Sequence, residues 1–244
     1  MTVQALTSCK LYVAQYELSG HVNSMNLTAE VEPVEKTTFG SSGMREYLPG
    51  LLTALADFVA LFEADGTGKP DDVLHAKLGA EEHLVTMCPT TGAAGEPGYF
   101  FKAIETRLGR SGNVGNVFLL NVGAVGTGTL VRGTVLIPAS SALTATGNSS
   151  PRELGAVAAG QSMWAALHVI AVSGTSPTLD LVLQSDDAEA FSSPANRIAF
   201  SRVTAPTSER LSVAGPITDT WWRAAYTIAG TGPSFTLVLV VGVR

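Results

Sequence analysis

The chain has 244 residues, 45% of them hydrophobic and only 15% charged, with a net charge of −6 and a pI near 5.2. Disorder needs low hydrophobicity and high charge, so a packed fold is expected. The acidic balance argues against a surface built to grip nucleic acid, which needs clustered Lys and Arg, though not against one past which DNA slides.

A lone soluble monomer carries about 25% charged residues, so the deficit points to surface that meets protein rather than water. The 25 glycines and 12 prolines, with few long helical stretches, point to sheets joined by turns. Every lysine lies at or before Lys102 and all later basic residues are arginine, a shift that suggests two regions. No run of about 18 apolar residues exists, so no membrane span and no membrane partner is expected. Met1 to Lys10 lacks a basic start and an apolar core, so no signal peptide is expected there. Cys9 and Cys88 read as buried free thiols rather than a disulfide framework.

In chain order, residues 11–18 read as a first strand. Val22 to Val34 reads as a second. Met25, Leu27, Ala29 and Val31 fall on one face, and Asn26, Thr28, Glu30 and Glu32 on the other, the alternation of a half-buried strand. The stretch Thr37 to Gly50 is loop-like, yet carries Phe39, Met44 and Tyr47. Apolar residues on such a loop need a partner surface, either the chain's own core or a neighbouring subunit.

Ala54 to Ala64 reads as a strand that ends in an Asp65-Gly66-Thr67-Gly68 turn. A short helix follows, with Pro70 in its first turn, Asp71 and Asp72 complementing its dipole, and Gly79 ending it. Glu82 to Cys88 and Tyr99 to Leu108 read as further strands. Val117 to Val122 and Thr129 to Ile137 read as a glycine-separated strand pair. Pro138 to Pro151, nearly uncharged, reads as a linker or crossover.

The second region contains an internal echo. Gly174-Thr175-Ser176-Pro177 followed by Thr178 to Leu183 matches Gly230-Thr231-Gly232-Pro233 followed by Ser234 to Leu239. Each copy follows an aromatic-led strand, Trp164 to Val172 and Trp221 to Ile228. The expectation is two hairpins with Gly-Thr-x-Pro turns, contributing to a β-sandwich.

Chemical motifs are sparse. His21, His75, His83 and His168 have no metal-ligand spacing, and neither cysteine sits in C-x-x-C. His168 reads as a satisfied structural histidine. There is no nucleophile elbow and no P-loop. Gly123 to Gly133 leads into a β-branched segment, so no helix start follows to hold a phosphate. Ser185 to Glu189 offers oxygen ligands for calcium, weighed against a solvated acidic turn. Asp71-Asp72 and Glu81-Glu82 read as helix-end and surface charge. No catalytic, cofactor-binding or metal residue is expected, and no enzyme. In Trp221-Trp222-Arg223 adjacent side chains of a strand point to opposite faces. One Trp belongs to the core; the other, with Arg223, could bind a surface partner or a sugar ring.

The stretch Val34-Glu35-Lys36-Thr37-Thr38-Phe39-Gly40, then Gly43-Met44-Arg45-Glu46-Tyr47-Leu48-Pro49-Gly50-Leu51 and the strand Ala56 to Asp65, resembles the major tail tube proteins of long-tailed bacteriophages. Glu96 to Leu108, Gly112 to Gly115 and Leu130 to Leu136 look like later parts of such a protein. The resemblance spans about residues 8–138. It implies an all-β fold with one short helix, a tail-tube-type β-sandwich or barrel. Six subunits would form a ring, and stacked rings would make a tube for the passage of viral DNA. It implies a contact loop carrying Thr37, Thr38, Phe39, Met44, Arg45, Glu46, Tyr47 and Leu48 that reaches the adjacent ring. It also implies the chain itself, tape-measure, tail-terminator and baseplate proteins as partners, and a place in the virion tail after assembly in the host bacterial cytoplasm.

The expected division is a tube-like domain over 1–138, a linker over 139–154 and a second, outward-projecting β-sandwich over 155–244. The last of these resembles appended immunoglobulin-like or carbohydrate-module-like virion domains. The alternative reading is a capsid or tail decoration protein, or an adhesin for host-surface glycans.

Overall fold

The computed structural model describes residues 8–244; the expectation of no signal peptide falls largely outside them. The described chain is mostly β, with fourteen strands and one helix. It divides into two compact units, and the division does not fall at residue 138. One unit holds residues 8–20, 83–102 and 131–244, the other residues 21–82 and 103–130. Strands from the early chain pack with the late chain because both supply apolar faces to one core. A boundary drawn from composition cannot register that.

In the second of these units, β3 (Val22–Glu35), β4 (Tyr47–Leu61), β7 (Leu119–Gly126) and the later part of β6 (Pro97–Ser111) pair antiparallel in the order β3-β4-β7-β6. Ala54, Ala56, Phe58 and Ala60 of β4 alternate inward with Leu120, Val122 and Ala124 of β7. Helix α1 (Pro70–Lys77) buries Pro70, Val73 and Leu74. It starts on Pro70 at its first turn, carries Asp71 and Asp72 there, and is followed by Gly79 at φ 66. The Gly79 N–H donates to the Glu105 carbonyl at 2.9 Å, and Arg110 pairs with Asp71 at 2.6 Å, which ties the helix to β6.

The expected first strand is instead a tight hairpin, β1 (Lys10–Val13) and β2 (Tyr16–Glu17), turned at Ala14 with φ 50. β7 and β8 (Val131–Ile137) do not pair with each other, as their spacing suggested. Each pairs with a different part of β6, which is long enough to serve both.

The other unit is organised by two very long strands, β11 (Ser162–Asp186) and β14 (Trp221–Val243), paired along their whole length. The two echo motifs are therefore not hairpin turns. They stand opposite each other in mid-strand, with Thr175 facing Thr231, at a cluster of bulges. Val172 pairs with Phe235 and Leu179 with Ile228, so the ribbon carries an approximate two-fold about that point. Gly174 and Gly230 sit there at φ 112 and 122. A Cβ on Gly174 would lie 2.7 Å from the Gly232 carbonyl, and one on Gly230 would lie 2.9 Å from the Ser176 carbonyl.

The first half of β11 pairs with β13 (Thr207–Ala214) and with the second half of β14, which continues to β8. The second half of β11 pairs with β12 (Ala195–Ala199) and with the first half of β14. Met163, Leu167, Leu181, Leu183, Trp222, Leu237 and Leu239, drawn from both halves, share one core. Opposite side chains of the same strands, Ala166, Val238 and Val240, join Tyr12, Leu84, Cys88, Phe100 and Val135 in a second core. β5 (His83–Cys88) pairs with β1 and closes that side.

The expected linker is not free. β9 (Gly147–Asn148) and β10 (Arg152–Glu153) pair with β14, and Leu143 exchanges backbone hydrogen bonds with Phe235. Small Ser and Thr residues suit that path. Thr146 Oγ1 accepts from the Ile228 N–H and Ser149 Oγ from the Ala224 N–H, each at 2.9 Å.

Candidate functional site: an apolar β-arm and its tip

β4 pairs with β7 only from Leu55 onward, whereas its pairing with β3 continues to Tyr47. The stretch beyond Leu55 is thus a two-stranded ribbon of about 25 Å at the usual strand rise. Such ribbons have no core of their own. Val31 pairs with Leu52 and Val34 with Leu48, and a register shift lies between the two pairs, so Val34 and Leu48 share one face and Val31 and Leu52 the other. Tyr47 and Pro49, paired with Glu35 and Pro33, lie on the face of Val31 and Leu52, and Leu51 stands in the bulge between the pairs. Leu51 is 79% exposed and Leu48 50%. Both faces are apolar and both are open. Gly50 allows the strands their close approach, since a Cβ there would lie 2.6 Å from the Glu32 carbonyl.

The alternation expected for Val22 to Val34 holds as a pattern but not as burial along its whole length. Met25 and Leu27 are half-buried beside the sheet, while Ala29 and Val31 lie out on the ribbon and are exposed. Among the described residues β3 has β4 alone as its strand neighbour and forms an edge of the sheet.

The ribbon is closed by Lys36, whose N–H donates to the Glu46 carbonyl at 2.9 Å and whose ammonium pairs with the Glu46 carboxylate at 3.4 Å. The loop is therefore shorter than sequence suggested, and Tyr47 to Leu51 belong to β4. Within it, Thr37 Oγ1 accepts from the Glu46 N–H, Ser41 Oγ from the Thr38 N–H, and Thr38 Oγ1 from the Gly40 N–H. Ser42 and Gly43 turn the chain at φ 52 and 80. These local bonds hold up a tip on which Phe39 is fully exposed and Met44 is 73% exposed, with Arg45 beside them.

The remaining candidates are in the other unit. Trp222 is fully buried in the core, and its Nε1 donates to the Gly155 carbonyl at 3.0 Å, so it offers no surface for stacking. Trp221 is half-buried. Arg223 lies over the Phe191 ring at 4.3 Å and donates to Gln184 Oε1, which anchors it within its own unit.

At Ser185 to Glu189, Asp186 is occupied by the chain itself and accepts the N–H groups of Ala188 and Ser193. Burial pushes its carboxyl upward, and these N–H donors outweigh that and hold it below the usual range. Asp219 accepts from Ser185 and Arg197, and these bonds likewise hold it low. The acidic turn is thus a self-satisfied corner. Among the described residues no group of three His, Cys, Asp or Glu side chains could hold a metal ion.

His168 is fully buried. Its Nδ1 donates to the Ala14 carbonyl at 2.5 Å, which leaves Nε2 to accept from Thr86 Oγ1 at 2.7 Å. Burial pushes its pKa down to about 4, against a smaller opposing effect of the Ala14 carbonyl. It is a neutral structural histidine. Cys88 is a buried free thiol pushed up to about 12 by burial, and Cys9 is half-buried and free.

No family model matches the sequence, and no curated protein matches it. Among solved structures, a chain of the virion of a native gene transfer agent particle aligns with 53% of this chain and 98% of its own length, at 13% identity and a TM-score of 0.45. The SPP1 tail tube aligns over 55% of this chain and 80% of its own, at 10% identity and a TM-score of 0.42. The SPP1 Dit protein, described as a hub of the adsorption apparatus in phages, covers 97% of this chain and 99% of its own at 8% identity and a TM-score of 0.39. Likeness this distant carries neither a family nor a function to this chain.

Proposed function

We propose that the chain is a structural component of a phage tail, and that it works by self-assembly into rings which stack as a tube. The observation that carries this is the β3–β4 arm. A monomer has no reason to expose Val31, Val34, Leu48, Leu51 and Leu52 on both faces of a ribbon that has no core. Covered by neighbouring copies, the same residues become interface. β3, an edge strand, is a template for further pairing, and a head-to-tail contact between unlike surfaces builds rings or filaments. The resemblance of residues 8–138 to tail tube proteins gives the same reading from sequence.

The polar face of the β3-β4-β7-β6 sheet suits a passage. It carries Ser24, Asn26, Thr28, Asp57 and Asn121 beside half-buried Leu55 and Val59, with Arg107 paired to Asp57 at 2.9 Å. Such a surface is wet and nearly neutral, and gives DNA little to bind. Tape-measure, terminator and baseplate proteins would meet the ends of the tube. Residues 139–243, which pack along β14 and β11, would form the part displayed on the virion.

The test is electron microscopy of the purified full chain at high concentration, beside a variant in which residues 38–45 are replaced by a two-residue turn. The Lys36–Glu46 rung is kept in that variant. Rings or tubes from the parent, and folded single subunits or unstacked rings from the variant, are expected. A parent chain that stays a monodisperse monomer at every concentration overturns the proposal.

A further inference from the structure

A second apolar tip lies at the other end of the same sheet. β6 turns into β7 through residues 112–118, Gly-Asn-Val-Gly-Asn-Val-Phe. Val114 is fully exposed, Val117 is 62% exposed and Phe118 is 43% exposed. The turn is built to stand out. The Asn116 N–H donates to the Asn113 carbonyl at 3.0 Å, and Gly115 takes φ 86. It is also braced. The Phe62 N–H donates to the Phe118 carbonyl at 3.0 Å, and the two rings meet edge to face at 5.1 Å.

The register fixes where this turn lies relative to the arm. Leu61, the last residue of β4, pairs with Leu119, the first residue of β7. Tyr47, the first residue of β4, pairs with Glu35 beside the arm loop. The two tips are thus at opposite ends of β4, about 50 Å apart along a strand of this length. One end presents Phe39 and Met44 with Arg45. The other presents Val114, Val117 and Phe118, and the turn following Phe62 carries Asp65, an exposed carboxylate.

We propose that these two ends are complementary halves of one contact: the arm tip of one copy seats on the 112–118 turn of the next copy along the strand direction. This rests on the assembly reading above and names the surface that the arm engages. Three features select a second copy as the occupant. Both patches are apolar and exposed, and neither is large enough to hold a partner alone. Arg45 stands at the arm tip, and Asp65, three residues after Phe62, is an exposed carboxylate of opposite charge. The surfaces are unlike and face opposite ways along one axis, so the contact is head-to-tail and repeats without limit, whereas tip-to-tip pairing stops at a dimer. A single seat of this size is weak, and rows of seats in parallel make it strong.

The experiment uses the full chain with Cys9→Ser in every sample, leaving Cys88 buried. Phe39→Cys and Val114→Cys are made separately, since both positions are fully exposed and leave the fold intact. Each alone and an equal mixture are treated with a short bismaleimide at assembling concentration, and crosslinked peptides are identified by mass spectrometry. The expected result is a Phe39-site to Val114-site crosslink in the mixture, at least tenfold above the self-crosslink of either variant. Arg45→Glu added to the Phe39→Cys chain should lower that yield several-fold at low salt, and less at high salt.

Assembly seen by microscopy with no such crosslink overturns this contact and leaves the assembly reading standing. A dominant Phe39-site self-crosslink overturns it in favour of a tip-to-tip dimer. No crosslink and no assembly at any concentration overturns both.

Discussion

Val34 and Leu48 face each other across β3 and β4, 49% and 50% exposed, with Gly50 beside them pressed toward the Glu32 carbonyl. This paired, exposed apolar couple is the surface that the proposed assembly would cover. Leu48→Thr combined with Leu52→Thr places β-branched residues in the strand and removes apolar area from both faces of the arm. Stability of the subunit should change by no more than about 1 kcal/mol, because neither side chain is buried. Self-association should weaken at least tenfold, as burying a Leu contributes about 1.5–3 kcal/mol. Sedimentation velocity over a concentration series measures this, and an unchanged profile removes the arm from the interface.

His168 sets a pH dependence with a definite sign. Its pKa is about 4 in the folded chain and about 6.5 unfolded, so the unfolded chain binds more protons between those values. The contribution of a neutral His168 is complete above pH 6.5 and is lost as the pH falls toward 4, at about 1.4 kcal/mol per unit. His168→Gln removes that titration. It should be less stable at pH 7 by about 2–3 kcal/mol, through imperfect bonds to Ala14 and Thr86. The gap to the parent should narrow by pH 5. Urea midpoints at both pH values decide it, and a gap independent of pH sinks the assignment.

Gly174 and Gly230 should respond alike. Alanine at either position meets a strained φ together with a backbone carbonyl under 3 Å away, so each loses about 2–4 kcal/mol. Gly155→Ala is the control. It has φ 86 with open space around its missing Cβ, so only the backbone strain remains, about 1 kcal/mol. Thermal unfolding of the three variants separates crowding from strain. Equal losses at Gly155 and Gly174 would refute the close-approach account.

Trp221 and Trp222 should part company. Trp222→Ala opens a cavity in the core and leaves the Gly155 carbonyl without its donor, a loss of about 3–5 kcal/mol. Trp221→Ala removes a half-buried ring and should cost about 1 kcal/mol or less. The two melting temperatures check this, and equal shifts would contradict the burial difference.

Sequence alone settled the local matters. Alternation at Val22 to Val34 marked β3, and Pro70, Asp71, Asp72 and Gly79 marked the helix. The adjacency of Trp221 and Trp222 required that one go inward, while Phe39, Met44 and Tyr47 around a Gly-Ser loop left open whether the chain's own core or a neighbouring subunit covers them. These signals are short-range, set by side-chain period, capping and turn chemistry, so they survive without knowledge of what lies across space.

Only the tertiary structure decided what pairs with what. The echo of Gly174-Thr175 and Gly230-Thr231 was visible, but two hairpins and one doubled ribbon share the same alternation, and strand pairing between distant segments alone distinguishes them. The stretch 138–151 looked like a linker because polar, uncharged residues suit a free loop and an added edge strand equally. The exposure of Val31 and Leu51 was likewise hidden, since it depends on where β7 stops beside β4. Burial is a property of neighbours, and no local pattern in this arm records where its neighbouring strands stop.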